Sequence, residues 1–171
     1  MKNFAIVLVI TFTAFVGDSL AQVRHPSIAQ SAVVIKSKQQ VSDIEKALGQ
    51  KPGNTNEDIV AAAGMQTRIA IFNDTNREGD VNEVHDNSDD IYYVLKGKAT
   101  LMLGGTLVEP NEISPGEWRA KTATGGEKVE IKRGDLIFVP RGTRHQRTVT
   151  GRGFSMILIK VFSTEQPRPK S

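Results

Sequence analysis

The chain has 171 residues, with 22 Lys and Arg against 19 Asp and Glu, and no cysteine. A net charge of +3 without any Lys or Arg block leaves no footprint for nucleic acid, and the missing cysteines exclude both a disulfide framework and a thiol nucleophile. Stability has to come from packing, helped by a metal or a partner subunit.

Residues 1–21 open with Lys2, run apolar from Phe4 to Ile10, fade by Gly17 and close on Ser19-Leu20-Ala21. A basic start, a short apolar middle and small residues before a cut at Gln22 form the layout of a signal peptide. The apolar stretch is shorter than the roughly 20 residues a membrane span needs. The expectation is therefore a secreted or periplasmic protein with no stable membrane insertion. About 150 residues remain after cleavage, the size of one domain.

Residues 22–38 are small and polar, interrupted by His25-Pro26, and read as a mobile arm. Ser42-Asp43-Ile44-Glu45 fits a capping box, which predicts a short helix to about Leu48, ended by Gly49 and Pro52. A second helical turn is expected over 57–63, so that residues 22–64 form an arm with short helices. From Met65 the texture becomes β. Runs at 68–72, 90–95, 99–103, 128–132, 136–139 and 156–162 are rich in Ile, Val, Leu, Tyr and Phe, and are separated by Gly, Asn, Asp and Pro. Closely spaced strands with Gly-rich turns imply an antiparallel sandwich or barrel over 65–163. The thirty-six residues between Gly97 and Gly134 suggest a hairpin or flap, with Trp118 packed on the outer wall or closing over a ligand. Residues 164–171, with Pro167 and Pro169, read as a frayed tail. Asn73-Asp74-Thr75 matches a glycosylation acceptor.

Two stretches carry candidate chemistry. "VNEVHDNSDDIYYVLKG", residues 81–97, places one histidine and four acids ahead of an apolar strand. "RGDLIFVPRGTRHQRTV", residues 133–149, turns tightly at Gly134-Asp135, ends a strand at Pro140, turns again at Gly142 and starts a returning strand at His145. A histidine just past such a corner has its ring held by rigid backbone, as a metal ligand requires. No HExxH, phosphate-binding Gly loop or nucleophile elbow near Ser88 competes with it.

The spacing of Gly134, Pro140, Gly142 and His145 resembles the second motif of the cupin superfamily. The earlier stretch resembles the first cupin motif, which has two histidines one residue apart, then Glu, then Gly. Counting back from Gly97 puts Asp90 at the family's Glu position, His85 at its second histidine and Glu83 at its first. An alternative register makes His85 the first histidine and Asn87 the second, which suits Gly79 but crowds Asp90. The first register is preferred, because the strand from Ile91 to Leu95 anchors its downstream end. Alternation also puts Glu83 and His85 on one face of a strand.

The resemblance covers residues 66–162. It implies an all-β fold, a cupin-type antiparallel β-barrel (jelly roll) preceded by one or two short helices, and pairing into a homodimer through outer strands. It also implies a divalent metal held by Glu83, His85, Asp90 and His145, where the family usually offers three histidines and a glutamate. Two imidazoles with two carboxylates suit Mn or Fe and tolerate Zn or Ni. Without an ion, Glu83 and Asp90 are expected to repel and raise at least one carboxyl pKa. Val149 stands where the second motif often ends in Asn. By alternation Tyr92 and Arg147 face inward beside the site, placed to orient a small-molecule substrate. The expected function is an exported metalloenzyme of dioxygenase, isomerase or lyase type acting on a small oxygenated molecule, with Glu83 either a ligand or a general base. The rival is a non-catalytic small-molecule or carbohydrate-binding cupin with a degraded or absent metal site.

Overall fold

The computed structural model describes residues 26–29, 31–78, 81–151 and 153–168. The expected signal segment and His25 lie outside the described residues. The described residues from Val34 to Arg168 belong to one compact unit. Among the described residues, no helix is long and apolar enough to cross a membrane.

Among the described residues there is one helix, α1, which spans Lys38–Gly49. Its capping box is formed by Ser37 and Gln40, five residues ahead of the expected box at Ser42: the Gln40 amide donates to Ser37 Oγ, while the Gln40 side chain accepts from the Ser37 amide. Ser42 falls inside the helix. Three residues after Ser37, glutamine serves the box as well as glutamate does, so the earlier pair nucleates the helix. The expected helical turn at 57–63 is absent. Thr55–Val60 instead forms strand β1, whose backbone pairs antiparallel with β2, Thr67–Asp74.

The remaining strands are β3 (Asn82–His85), β4 (Ser88–Lys96), β5 (Lys98–Leu103), β6 (Thr106–Val108), β7 (Asn111–Ser114), β8 (Glu117–Ala120), β9 (Thr122–Thr124), β10 (Glu127–Lys132), β11 (Leu136–Val139), β12 (His145–Thr148) and β13 (Phe154–Phe162). They form a five-stranded sheet ordered β1-β2-β13-β4-β11, a six-stranded sheet ordered β10-β5-β12-β3-β8-β7, and a two-stranded sheet of β6 and β9. All strand pairs are antiparallel, as a jelly roll requires.

Alternation explains the interior. On β4, Ser88, Asp90, Tyr92 and Val94 point inward, while Ile91 and Tyr93 point out. On β13, Met156, Leu158 and Lys160 share the inward face. Tyr92, Val94, Leu101, Ile131, Val139, Phe154, Met156 and Leu158 close the core between the sheets, each large apolar side chain contributing about 1.5–3 kcal/mol. Val149, at the position where the cupin motif often has Asn, is one of these core residues.

The turns are equally specific. Gly97 has φ 75°, and a Cβ there would lie 2.5 Å from the Gly153 carbonyl oxygen, so β4 can pass into β5 only with glycine. After β11 the Gly142 amide donates to the His85 carbonyl at 2.8 Å, which ties the second motif's corner to the end of β3.

The expected flap resolves into β6 to β9. Strand β8 joins the six-stranded sheet beside β3, and Trp118 on it points away from the interior, its Nε1 donating to Asp86 at 2.7 Å. The tail is pinned rather than frayed as far as Gln166, because the Gly64 amide donates to the Gln166 carbonyl and the Gln166 amide to Met65. Asn73, of the glycosylation triplet, is 7 % exposed within β2, a poor presentation for a glycan acceptor.

Candidate metal centre

The two sheets bring together residues from distant stretches. Glu83 and His85 come from β3, and His145 from the start of β12, directly opposite Glu83 in register. Asp90 comes from β4 in the facing sheet. Asn87, the second ligand in the alternative register, is exposed in the turn between β3 and β4 and donates to the Pro115 carbonyl, so the structure follows the register that uses Glu83 and His85.

Donor atoms of Glu83, His85 and His145 lie within 4.8 Å of one another. Glu83 Oε2 is 3.6 Å from His85 Nε2 and 3.9 Å from His145 Nε2. Asp90 Oδ2 is 3.5 Å and 3.8 Å from the same two nitrogens. An ion bonded at about 2.1 Å to two donors in tetrahedral arrangement separates them by about 3.4 Å, so these gaps suit a shared ion after small adjustments.

The far side of each ring strengthens the fit. His85 Nδ1 is 2.7 Å from Glu117 Oε2, and His145 Nδ1 is 3.0 Å from the Thr143 carbonyl. A carboxylate or carbonyl on Nδ1 holds the proton there and leaves the Nε2 lone pair facing the cluster, as ligating histidines require. Asp90 Oδ1 is a buried oxygen with no hydrogen bond of good geometry. The Lys160 ammonium is 2.9 Å away, close enough for an ion pair but out of line for a hydrogen bond.

Charge is unevenly shared. Burial works against ionised Asp90, yet His85 and the Lys160 ammonium outweigh it and hold the carboxyl well below the usual carboxylate range. The repulsion expected to raise a carboxyl pKa is overcome at Asp90 by its contacts with His85 and Lys160. Burial alone would lower the His85 pKa, but its contacts with Asp90 and Glu117 raise it. Glu117 is lowered against its own burial by the contact with His85. His145 is lowered by burial. Arg119 bridges two acids, at 3.3 Å from Glu83 and 3.4 Å from Glu117.

A cavity of about 360 Å³ opens over the cluster, lined in part by Tyr92, Glu117, Arg119, Arg147 and Lys160. The Tyr92 hydroxyl donates to Asp90 Oδ2 at 3.2 Å, and burial, with the Asp90 charge, raises its pKa well above normal, so it stays a neutral donor. Arg147 donates to Asp74 at 2.8 Å and lies 5.7–6.0 Å from the ring centres of Phe72, Tyr92 and Phe154. Both residues line the cavity as expected, and both are also tied into the wall.

Three residues of this site were missed in the sequence. Lys160 carried a signal, being the one charge in the apolar run "SMILIKVF" at the centre of a sheet, where an ammonium must be paired. Glu117 and Arg119 flank Trp118 with strand alternation, but no local feature indicates that β8 lies beside β3.

No family model matches the sequence, and neither does any curated protein. Among solved structures the chain is similar to a cupin superfamily protein from Desulfitobacterium hafniense, at 16% identity over 79% of this chain and 94% of that one, with a TM-score of 0.50. It is also similar to a conserved protein with a double-stranded β-helix domain from Klebsiella pneumoniae, at 14% identity over 79% of this chain and 95% of that one, with a TM-score of 0.52. At such identities the likeness is one of fold. The protein has the cupin fold that its two motifs resemble.

Proposed function

We propose that the protein is an exported metal-binding cupin acting on a small oxygenated molecule, with chemistry of dioxygenase, isomerase or lyase type. One observation carries this: both histidines have Nδ1 engaged by Glu117 or the Thr143 carbonyl, so both Nε2 atoms face the same carboxylates. A divalent ion, whether Mn, Fe, Zn or Ni, would be held by Glu83, His85 and His145 with Asp90 beside them. Bound there, it would polarise an oxygen of the substrate. Tyr92 offers a neutral hydroxyl and Arg147 a fixed positive charge along the wall, both suited to an oxygen-rich ligand. Glu83, if it leaves the ion, is placed to accept a proton from that ligand.

The non-catalytic small-molecule or carbohydrate-binding reading has one observation in its favour, the Lys160 ammonium already paired with Asp90. Elemental analysis of protein purified without chelator, with melting curves before and after chelation, separates the two. The metalloenzyme reading expects near-stoichiometric metal, a lower Tm after chelation, and loss of metal in His85→Ala and His145→Ala. Sub-stoichiometric metal with an unchanged Tm would favour the binding module.

Export rests on the layout of residues 1–21. Mass spectrometry of the mature protein should find a chain beginning at about Gln22, and a retained Met1 in a secreting host would contradict it. We also propose a homodimer, supported by an apolar outer face on the five-stranded sheet.

A further inference from the structure

We propose that Lys160 is a built-in counter-cation that withholds Asp90 from full duty as a metal ligand, so that the site presents the charge of two imidazoles and a single carboxylate. This inference rests on the metal-binding reading of the cluster and concerns how that site is charged and what class of ligand it accepts.

Lys160 stands directly opposite Asp90 in the β13–β4 register, on the inward face of the sheet's central strand. It is 9 % exposed, and its Nζ lies 2.9 Å from Asp90 Oδ1 and donates to Ser88 Oγ at 3.1 Å. Ser88 and Asp90 are inward neighbours two residues apart on β4, so one strand supplies both contacts. A long side chain held by two buried partners has little freedom to swing out to solvent. Among the described residues it is the one lysine that lines the cavity.

The charges around the cluster then follow. Glu83, Asp90 and Glu117 are opposed by Lys160 and by Arg119, whose guanidinium is shared between Glu83 and Glu117. Within these ion pairs one negative charge is left over, and Arg147 on the same wall is paired separately with Asp74. A divalent ion turns that negative charge into one positive charge, which an anionic ligand with a single charge completes. Without Lys160 the same ion would be neutralised by protein alone, and the open positions would take water or another neutral donor. Lys160 thus trades affinity for the ion against affinity for an anionic substrate such as a carboxylate.

The test uses the full mature protein and two substitutions, Lys160→Met, which keeps length without charge, and Lys160→Gln, which keeps a donor for Ser88 and carries the experiment if the Met variant fails to fold. Co²⁺ is titrated by calorimetry, and formate is then titrated into the Co²⁺-loaded protein by visible absorption. Removing a charge this close should tighten Co²⁺ binding by about tenfold or more and weaken formate binding by a similar factor. Asp90→Asn leaves the Lys160 ammonium unpaired and should weaken Co²⁺ binding in the parent, whereas combining it with either Lys160 substitution should return the affinity close to that of the parent. Co²⁺ binding that is unchanged or weaker in both Lys160 variants overturns the proposal, and shows Lys160 to be orienting Asp90 as a ligand. If the parent and every variant take up no Co²⁺, the metal-binding reading itself fails, and this inference with it.

Discussion

The orientation of His85 depends on Glu117, whose carboxylate holds Nδ1 at 2.7 Å. Glu117→Gln keeps the shape and removes the charge, so metal affinity should fall about 10–100-fold, the usual effect of losing a carboxylate behind a ligating histidine. Metal titration beside a melting curve checks this, since a purely structural role would move the Tm and leave the titration unchanged. Asp74 is the other decisive acid. It is fully buried and accepts from Arg147, whose guanidinium is enclosed by Phe72, Tyr92 and Phe154. Asp74→Ala strands that charge in an apolar wall and should cost about 3–5 kcal/mol in urea denaturation. A loss below about 1 kcal/mol would mean that water or another acid takes over the arginine. At this scale much was legible: alternation placed Glu83 beside His85 and turned Tyr92 and Arg147 inward. The partners were not legible, because Glu117 and Lys160 reach the cluster only through strand pairing.

Among the elements, the β4–β5 turn is tightly constrained. Gly97→Ala would force an L-residue into φ 75° and drive a Cβ to 2.5 Å from the Gly153 carbonyl. A loss of roughly 2 kcal/mol or more is expected, read from the urea midpoint, and a neutral result would mean that the 153 turn moves aside freely. The strand at 136–139 and the Gly and Pro turns of the second motif were readable because turn chemistry and alternation are local. Two helical expectations failed for different reasons. Ser42 to Glu45 made a valid capping box, but Ser37 and Gln40 made one earlier in the chain. Residues 57–60 lost a local helical preference to the open edge of β2, whose backbone groups they satisfy.

Across the whole molecule, the outer face of the five-stranded sheet bears on assembly. Leu136 and Phe138 on edge strand β11 are 71 % and 61 % exposed, and Tyr93 lies beside Leu136 on β4. An apolar patch along a sheet edge suits a second copy of the chain. The parent should therefore run as a dimer in light scattering, and Leu136→Lys with Phe138→Glu should give a folded monomer. A monomeric parent would rule the dimer out. The sequence by itself determined the β architecture and the two motif corners, because a period of two and a few turn residues act over short range, and the resemblance to the cupin motifs implied Glu83, His85, Asp90 and His145 as the site. Only the tertiary structure decided how the site is charged. The pairing of β13 with β4 sets Lys160 against Asp90, and the pairing of β8 with β3 sets Glu117 behind His85. Electrostatic balance depends on distances through space, which no local pattern in the chain encodes.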